Sequence, residues 1–332
     1  MIQGLVLCAL LTIAGFSLAQ LPVLANNGIS PLVVALLLGI LVGNTPLVDK
    51  LRHADPGLKF ATSRLLRSGI ILFGLSLTVQ QITALGPMVL VLDVLVITCV
   101  LIAGYVIGTR VLGMDPETTL LTSAGSAICG AAAVLATESI IRSRAAATSM
   151  AVATVVVFGT LAMLLYPLLY PLMAMQEGLF GVYIGATIHE VAQVIAAGEA
   201  VGPEALTNAV IVKLVRVMML VPFLLIIGRL WLRSQPANTD GTSGGARLTI
   251  PWFAFGFMAM VVFNSVIHLP APLHQGLVLT GQLALAMAMA ALGFNTRLST
   301  LRALGLRPFI LALILFILLM GGGWIASTLL MG

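Results

Sequence analysis

Long apolar blocks separated by short polar turns run through this chain, and most of the blocks are long enough to cross a bilayer as helices. Residues 2–19 open the series, and a short block at Pro31–Gly43 follows, entered through Asn26-Asn27-Gly28. Further spans are predicted at about 65–80, 88–109, 147–172, 206–230, 250–268, 276–296 and 308–330. Two stretches break the pattern. Ser123–Val134 (SAGSAICGAAAV), inside a segment at about 117–140, is made of small residues and hydroxyls. Gly185–Gly198 (GATIHEVAQVIAAG), inside a segment at about 179–198, mixes small and ionisable residues. Irregular backbone is tolerated at membrane depth only where protein or a wet cavity covers it. Interrupted segments of this kind point to a transporter's binding site, although small residues also serve simple close packing of helices.

The fold class expected is therefore an all-α polytopic membrane protein, with about 9–11 transmembrane helices, two interrupted or re-entrant segments and an inverted repeat. The repeat is suggested by LFGLSLTVQQITALG at 72–86, which aligns without gaps to ALGFNTRLSTLRALG at 291–305. Within a single integral membrane domain, 1–332, it implies a first bundle at 61–175 and a second, rearranged one at 177–332. The polar run 234–247, rich in Ser, Gly and Thr, reads as a flexible linker loop.

Composition agrees with the pattern. Hydrophobic residues make up 60% and charged residues 8% of 332 residues, with a mean hydropathy of +1.14, unlike any soluble domain. The net charge of +5 sits mostly in short loops, where it reports orientation rather than a nucleic-acid partner. Lys50, Arg52, Lys59, Arg64 and Arg67, and later Arg297, Arg302 and Arg307, are expected on the cytoplasmic side. Arg142 and Arg144 close the first interrupted segment, which favours a hairpin that dips in and returns; a broken crossing helix is the alternative. The second segment is flanked by Glu177, Glu199 and Glu204 without a cation, so it is expected to enter from the opposite face. This topology puts the N-terminus in the cytoplasm and the C-terminus in the periplasm. Ser17-Leu18-Ala19 loosely resembles a signal cleavage site, but no basic region precedes it, so residues 2–19 read as an uncleaved helix. Cys8, Cys99 and Cys129 lack metal spacing and read as small buried hydrophobes. No metal and no cofactor is expected beyond a coupling ion, H+ or Na+.

Ionisable groups inside a membrane are costly and hence functional candidates. Asp93, His189, Glu190, Lys213 and Arg216 are such groups here. His189 with a carboxylate neighbour is suited to proton relay, and a hydrogen-bonded structural role is its alternative. Lys213 and Arg216, three residues apart, share a helix face and could attract an anion. Equally, they could snorkel or pair with Asp93, Glu138 or Glu190. Ser123 and Ser126 are candidates to cap a helix restarting at membrane depth, its free N–H groups facing a ligand. The substrate site expected from these stretches comprises Ser123, Gly125, Ser126, Cys129, Gly130, Thr187, His189, Gln193, Lys213 and Arg216, with Asp93, His189 and Glu190 coupling an ion. A zinc protease would need HExxH, and Gln193 stands where the second His belongs.

The small-residue run followed by a basic turn, and then GATIHEVAQV, resembles the YeiH family of bacterial inner-membrane proteins, which carries a sulfate-exporter label. The first segment with its following span also resembles the broken-helix region of bile acid:sodium symporters, a kinship that implies crossing broken helices. The resemblance implies a non-enzymatic secondary transporter exporting a small anion, sulfate or sulfonate-like, by alternating access at a midplane site. A sodium or other cation/proton antiporter is the alternative, and an intramembrane serine protease using Ser126 and His189 a remote one. No GxxxxGK[ST] loop occurs, so ATP-driven transport by this chain alone is not expected. The expected partners are the small anionic substrate, the lipid bilayer and a second copy in a homodimer.

Overall fold

The computed structural model describes residues 1–21, 30–46, 53–234, 252–267, 269–296 and 305–332, the side chains of 232–234 excepted. Lys50, Arg52, Arg297, Arg302, residues 235–247 of the expected linker and much of the 291–305 repeat lie outside them. Among the described residues every regular element is a helix. Six helices among the described residues are long and apolar enough to cross a membrane: Ile2–Ala19, Met88–Val111, Ala145–Met173, Pro203–Trp231, Ala271–Asn295 and Leu306–Met331. The chain is an all-α polytopic membrane protein.

In chain order the elements are α1 (Ile2–Ala19), α2 (Pro31–Gly43), α3 (Asp55–Phe60), a π turn at Ala61–Leu65, α4 (Leu66–Phe73), α5 (Val79–Ala84) and α6 (Met88–Val106). Then follow α7 (Pro116–Ala127), α8 (Ala131–Ile141), α9 (Ala145–Met173), α10 (Glu177–Thr187), α11 (Val191–Val201), α12 (Pro203–Met218) and α13 (Leu220–Ser234). The chain ends with α14 (Trp252–Val266), α15 (Ala271–Asn295) and α16 (Leu306–Met331).

Packing sorts these helices into two bundles. One joins α1, α2, α3, α4, α14 and α15; Gly39 and Gly43 of α2 and Gly293 of α15 let the two backbones touch. The other joins α6 through α13 with α16. The seam between them is thin, made mainly where α11 meets α2 and α15 and where α12 meets α14. The grouping follows the contacts rather than a division of the chain near residue 176. Asn264 bridges helices as amides in membranes often do, donating to the Leu77 carbonyl at 3.0 Å.

Two local expectations need correction. The third span does not start near residue 65: Asp55 in the first turn and Pro56 at its start initiate a helix that continues to Phe73. Lys59, Arg64 and Arg67 are therefore helical rather than in a solvated turn. Cys99 is exposed on the outer face of α6, whereas Cys8 and Cys129 are buried.

Candidate functional site

The half-helices α7, α8, α10 and α11 have 12, 11, 11 and 11 residues, about 17 Å each and so roughly half a hydrocarbon core. Each pair starts and finishes at one level. Asp115, the N-cap of α7, pairs with Arg144 just beyond α8 at 2.9 Å, and Arg144 also donates from its Nε to Glu117 at 3.2 Å. Glu177 at the start of α10 accepts from the amides of Glu204 (2.8 Å) and Ala205 (3.3 Å), beyond α11. Both segments are therefore hairpins that return to their entry level. They are not broken helices passing through, which is where the kinship to bile acid:sodium symporters pointed. Their mouths lie at opposite ends of α9, whose 29 residues span about 43 Å. The tips thus meet in the middle of the bundle.

The helix α12 fastens the two tips together. Ala205 and Ala209 face Gly181 and Gly185 so closely that a Cβ on either glycine would lie 2.4 Å from a carbonyl oxygen of α12. Residue 213 continues that face one turn on, past the end of α10. There Lys213 donates to the Ile128 and Ile188 carbonyls, both at 2.7 Å. Arg216 donates to Ala127 through Nε (2.7 Å) and Nη2, and to Ala186 through Nη1. Both cations are 0% exposed, and they sit where the carbonyl ends of α7 and α10 concentrate negative charge. No carboxylate lies within 4 Å of either among the described residues, so they neither snorkel nor pair directly with Asp93, Glu138 or Glu190.

The opposite ends of the tips carry the acid. Gly130 restarts the first hairpin at φ 70°, a conformation that side chains avoid, and a Cβ there would lie 2.5 Å from Glu190 Cγ. Glu190 N-caps α11 in a capping box with Gln193, whose Oε1 accepts from the Glu190 amide at 3.0 Å. Glu190 Oε1 also accepts from the Ala131 amide at 3.4 Å, so one carboxylate faces the positive ends of α8 and α11. His189 and Glu190 lie in the non-helical tip rather than on two faces of one helix.

The remaining candidates divide. Ser123 and Ser126 do not cap the restarting helix: Ser123 donates back to the Thr119 carbonyl at 2.7 Å, and Gly130 occupies the cap. Thr187 likewise donates to Tyr183 at 2.6 Å, and Gly125 makes room for Val134 and Val155. Gln193 also reaches Val156 and Thr160 on α9, at 3.4 Å each. Cys129 is buried beside the tip charges. Ser126 Oγ and His189 Nδ1 are buried without a hydrogen-bond partner among the described residues, so the two do not form a protease dyad. Asp93 is 0% exposed, both its oxygens lack a partner among the described residues, and it feels the charges of Arg216 and Lys213.

Sequence reasoning missed the aromatic wall. Tyr166 and Tyr183 stack with centroids 4.8 Å apart, and Tyr183 donates to the Met320 carbonyl at 3.0 Å, while Ser327 Oγ is buried without a partner among the described residues. Nothing in local spacing joins α9, α10 and α16, so no sequence signal announced it.

Comparison with known proteins bears on this site. The family described as Conserved hypothetical protein 698 matches residues 3–312. A UPF0324 membrane protein of Pseudomonas aeruginosa is 47% identical, over 98% of this chain and 93% of its own length. The UPF0324 inner membrane protein YeiH of Escherichia coli K12 is 45% identical, over 97% and 92%. A UPF0324 membrane protein of Yersinia pestis is 44% identical, over 97% and 91%. No solved structure matches the chain at a significant level.

Proposed function

The chain belongs to the family described as Conserved hypothetical protein 698, and from that footing we propose that it is a secondary active transporter of a small anion, sulfate or sulfonate-like. Alternating access takes place around the two hairpin tips. The observation that carries the reading is the meeting of both tips on two fully buried cations that no carboxylate among the described residues contacts directly. Lys213 and Arg216 put positive charge at membrane depth, and their donors are largely committed to backbone carbonyls. Their field attracts an anion, and groups without internal partners, Ser126 and His189 Nδ1, are available to bind it.

The names of relatives and the placement of Arg142 and Arg144 support a bacterial inner membrane location, with a cytoplasmic N-terminus and a periplasmic C-terminus. Opposed hairpins on either side of α9 support an inverted repeat whose second half is rearranged in sequence.

The test is flux of labelled sulfate in proteoliposomes under imposed proton or sodium gradients, for the wild type, Lys213→Ala and Lys213→Arg. Gradient-dependent flux that Lys213→Ala abolishes and Lys213→Arg partly restores is the expected result. Absence of flux for sulfate, sulfonates and other small anions in the wild type would overturn the reading.

A further inference from the structure

Lys213, Arg216 and Glu190 all find hydrogen-bonded places at the tips, and Asp93 does not. It lies on α6 among Val89, Val96 and Ile97, one helical turn to either side and all buried. Neither of its oxygens receives a hydrogen bond among the described residues. Resting on the anion reading above, we propose that Asp93 holds the coupling proton and that proton and anion are carried together, as a symport.

Three observations carry this. An ionised carboxylate buried without donors is among the costliest groups in a protein, and it takes up a proton instead. A hard cation such as sodium needs a shell of oxygens, whereas the turn around Asp93 is aliphatic. The third is the neighbour on α16. Gly104 faces Leu315 and Gly108 faces Leu311, so α6 and α16 run antiparallel, and the same register carries Asp93 to the level of Ala326 and Ser327. The Ser327 hydroxyl is also fully buried and without a partner, a match for a neutral carboxyl group.

Coupling follows from the charges nearby. The helices packed against α6 are α7, α10, α12 and α16. Of these, α12 brings Lys213 and Arg216. Glu117, Glu177, Glu204 and Arg307 sit in the first turns of their helices, at the membrane edge, and Arg110 lies in a second π turn, Ile107–Val111, that follows α6. Glu190, Cys129, Tyr166, Tyr183 and His189 are the other titratable groups near the tips, and Glu190, held by the Ala131 amide, offsets part of the Lys213 charge. With the site empty, Lys213 and Arg216 favour the ionised form of Asp93, because it offsets their charge. A bound anion offsets that charge in its place, and Asp93 then accepts a proton. By reciprocity the protonated site binds the anion more tightly. The proton joins the carboxylate oxygen on one side of the membrane and leaves it on the other with the anion, so no further reactant is needed.

The experiment uses the full chain in proteoliposomes loaded with a pH-sensitive dye, with labelled sulfate and methanesulfonate as probes. An acid-outside pH gradient is expected to drive anion accumulation at least tenfold above the rate at equal pH, with proton entry accompanying it. A sodium gradient at equal pH is expected to have no effect. Asp93→Asn is expected to lose pH-driven accumulation and keep anion-for-anion exchange, now independent of pH. In detergent, adding anion to the wild type should draw protons from weakly buffered solution, and Asp93→Asn should draw none. Ser327→Ala, a milder change, should shift the pH at which half-maximal flux occurs. Sodium-driven accumulation, or pH-driven accumulation retained by Asp93→Asn, would overturn the symport while leaving anion transport standing. Absence of anion flux and of anion-induced proton uptake in the wild type would overturn both readings.

Discussion

Lys213 and Ile128 are 85 residues apart in the chain, and the ammonium donates to the Ile128 carbonyl at 2.7 Å. The same nitrogen holds Ile188 at 2.7 Å in the other hairpin. One side chain therefore closes two helix ends that arrive from opposite faces. Lysine and arginine suit the task because orphan carbonyls at a helix C-terminus need donors, and a cation there gains from the helix dipole.

Replacing Lys213 with Met keeps the volume and removes the donors, leaving two buried carbonyls unpaired. Each is expected to cost about 1–3 kcal/mol. Thermal unfolding in detergent should show a marked loss, with Lys213→Arg intermediate. An unchanged midpoint in Lys213→Met would mean that the fastening contributes nothing to stability.

Gly130→Ala adds a Cβ at φ 70°, against the Glu190 side chain. Backbone strain alone is expected to cost about 1–2 kcal/mol, and displacement of Glu190 should lower flux as well. Gly276→Ala is the control: it lies within α15 with nothing within 4 Å, so it should be neutral or stabilise by up to about 1 kcal/mol. Equal effects of the two substitutions would argue against the tip geometry.

Glu190→Gln keeps a capping oxygen and removes the charge, whereas Glu190→Ala removes both. The alanine variant is expected to lose about 1 kcal/mol of stability. The glutamine variant should stay nearly as stable as the wild type and differ mainly in transport. Circular dichroism melts beside flux assays separate these outcomes.

The mouth of the first hairpin responds to pH. At Asp115 partial burial favours the neutral acid, but the Thr118 amide and hydroxyl and the Arg144 guanidinium outweigh it and hold the carboxyl below its usual range. A lowered folded-state value means that the contribution is present above the unfolded value, about 3.9, and is lost as pH falls through the folded one. With Arg144 65% and Asp115 40% exposed, solvent screens the ion pair, so its contribution is small and weakens further with salt. Asp115→Asn should flatten the acid limb of the melting temperature against pH, and a limb of unchanged steepness would place the acid sensitivity elsewhere.

Much of this protein is written locally. Apolar block length decides membrane spanning, because an unpaired backbone in hydrocarbon must close its own hydrogen bonds as helix. The runs at 123–134 and 185–198 announce breaks because Gly130 admits a positive φ and because Glu190 and Gln193 spell a cap three residues apart. The cations at Arg142 and Arg144 foretell that the first hairpin returns to its entry level, and Arg144 meets Asp115 and Glu117 there. Three-residue spacing puts Lys213 and Arg216 on one helix face.

What those cations touch was decided only in three dimensions. Their partners are backbone carbonyls, which every residue possesses and no sequence pattern marks. The same holds for the stacking of Tyr166 on Tyr183, for the isolation of Asp93 and for the division into two bundles with a thin seam. Each depends on which helices become neighbours, and neighbours in this fold are chosen by backbone-to-backbone fit at positions such as Gly181 and Ala205. Local hydrophobicity decides that these segments enter the membrane; close packing over long sequence separation decides which of their ends meet.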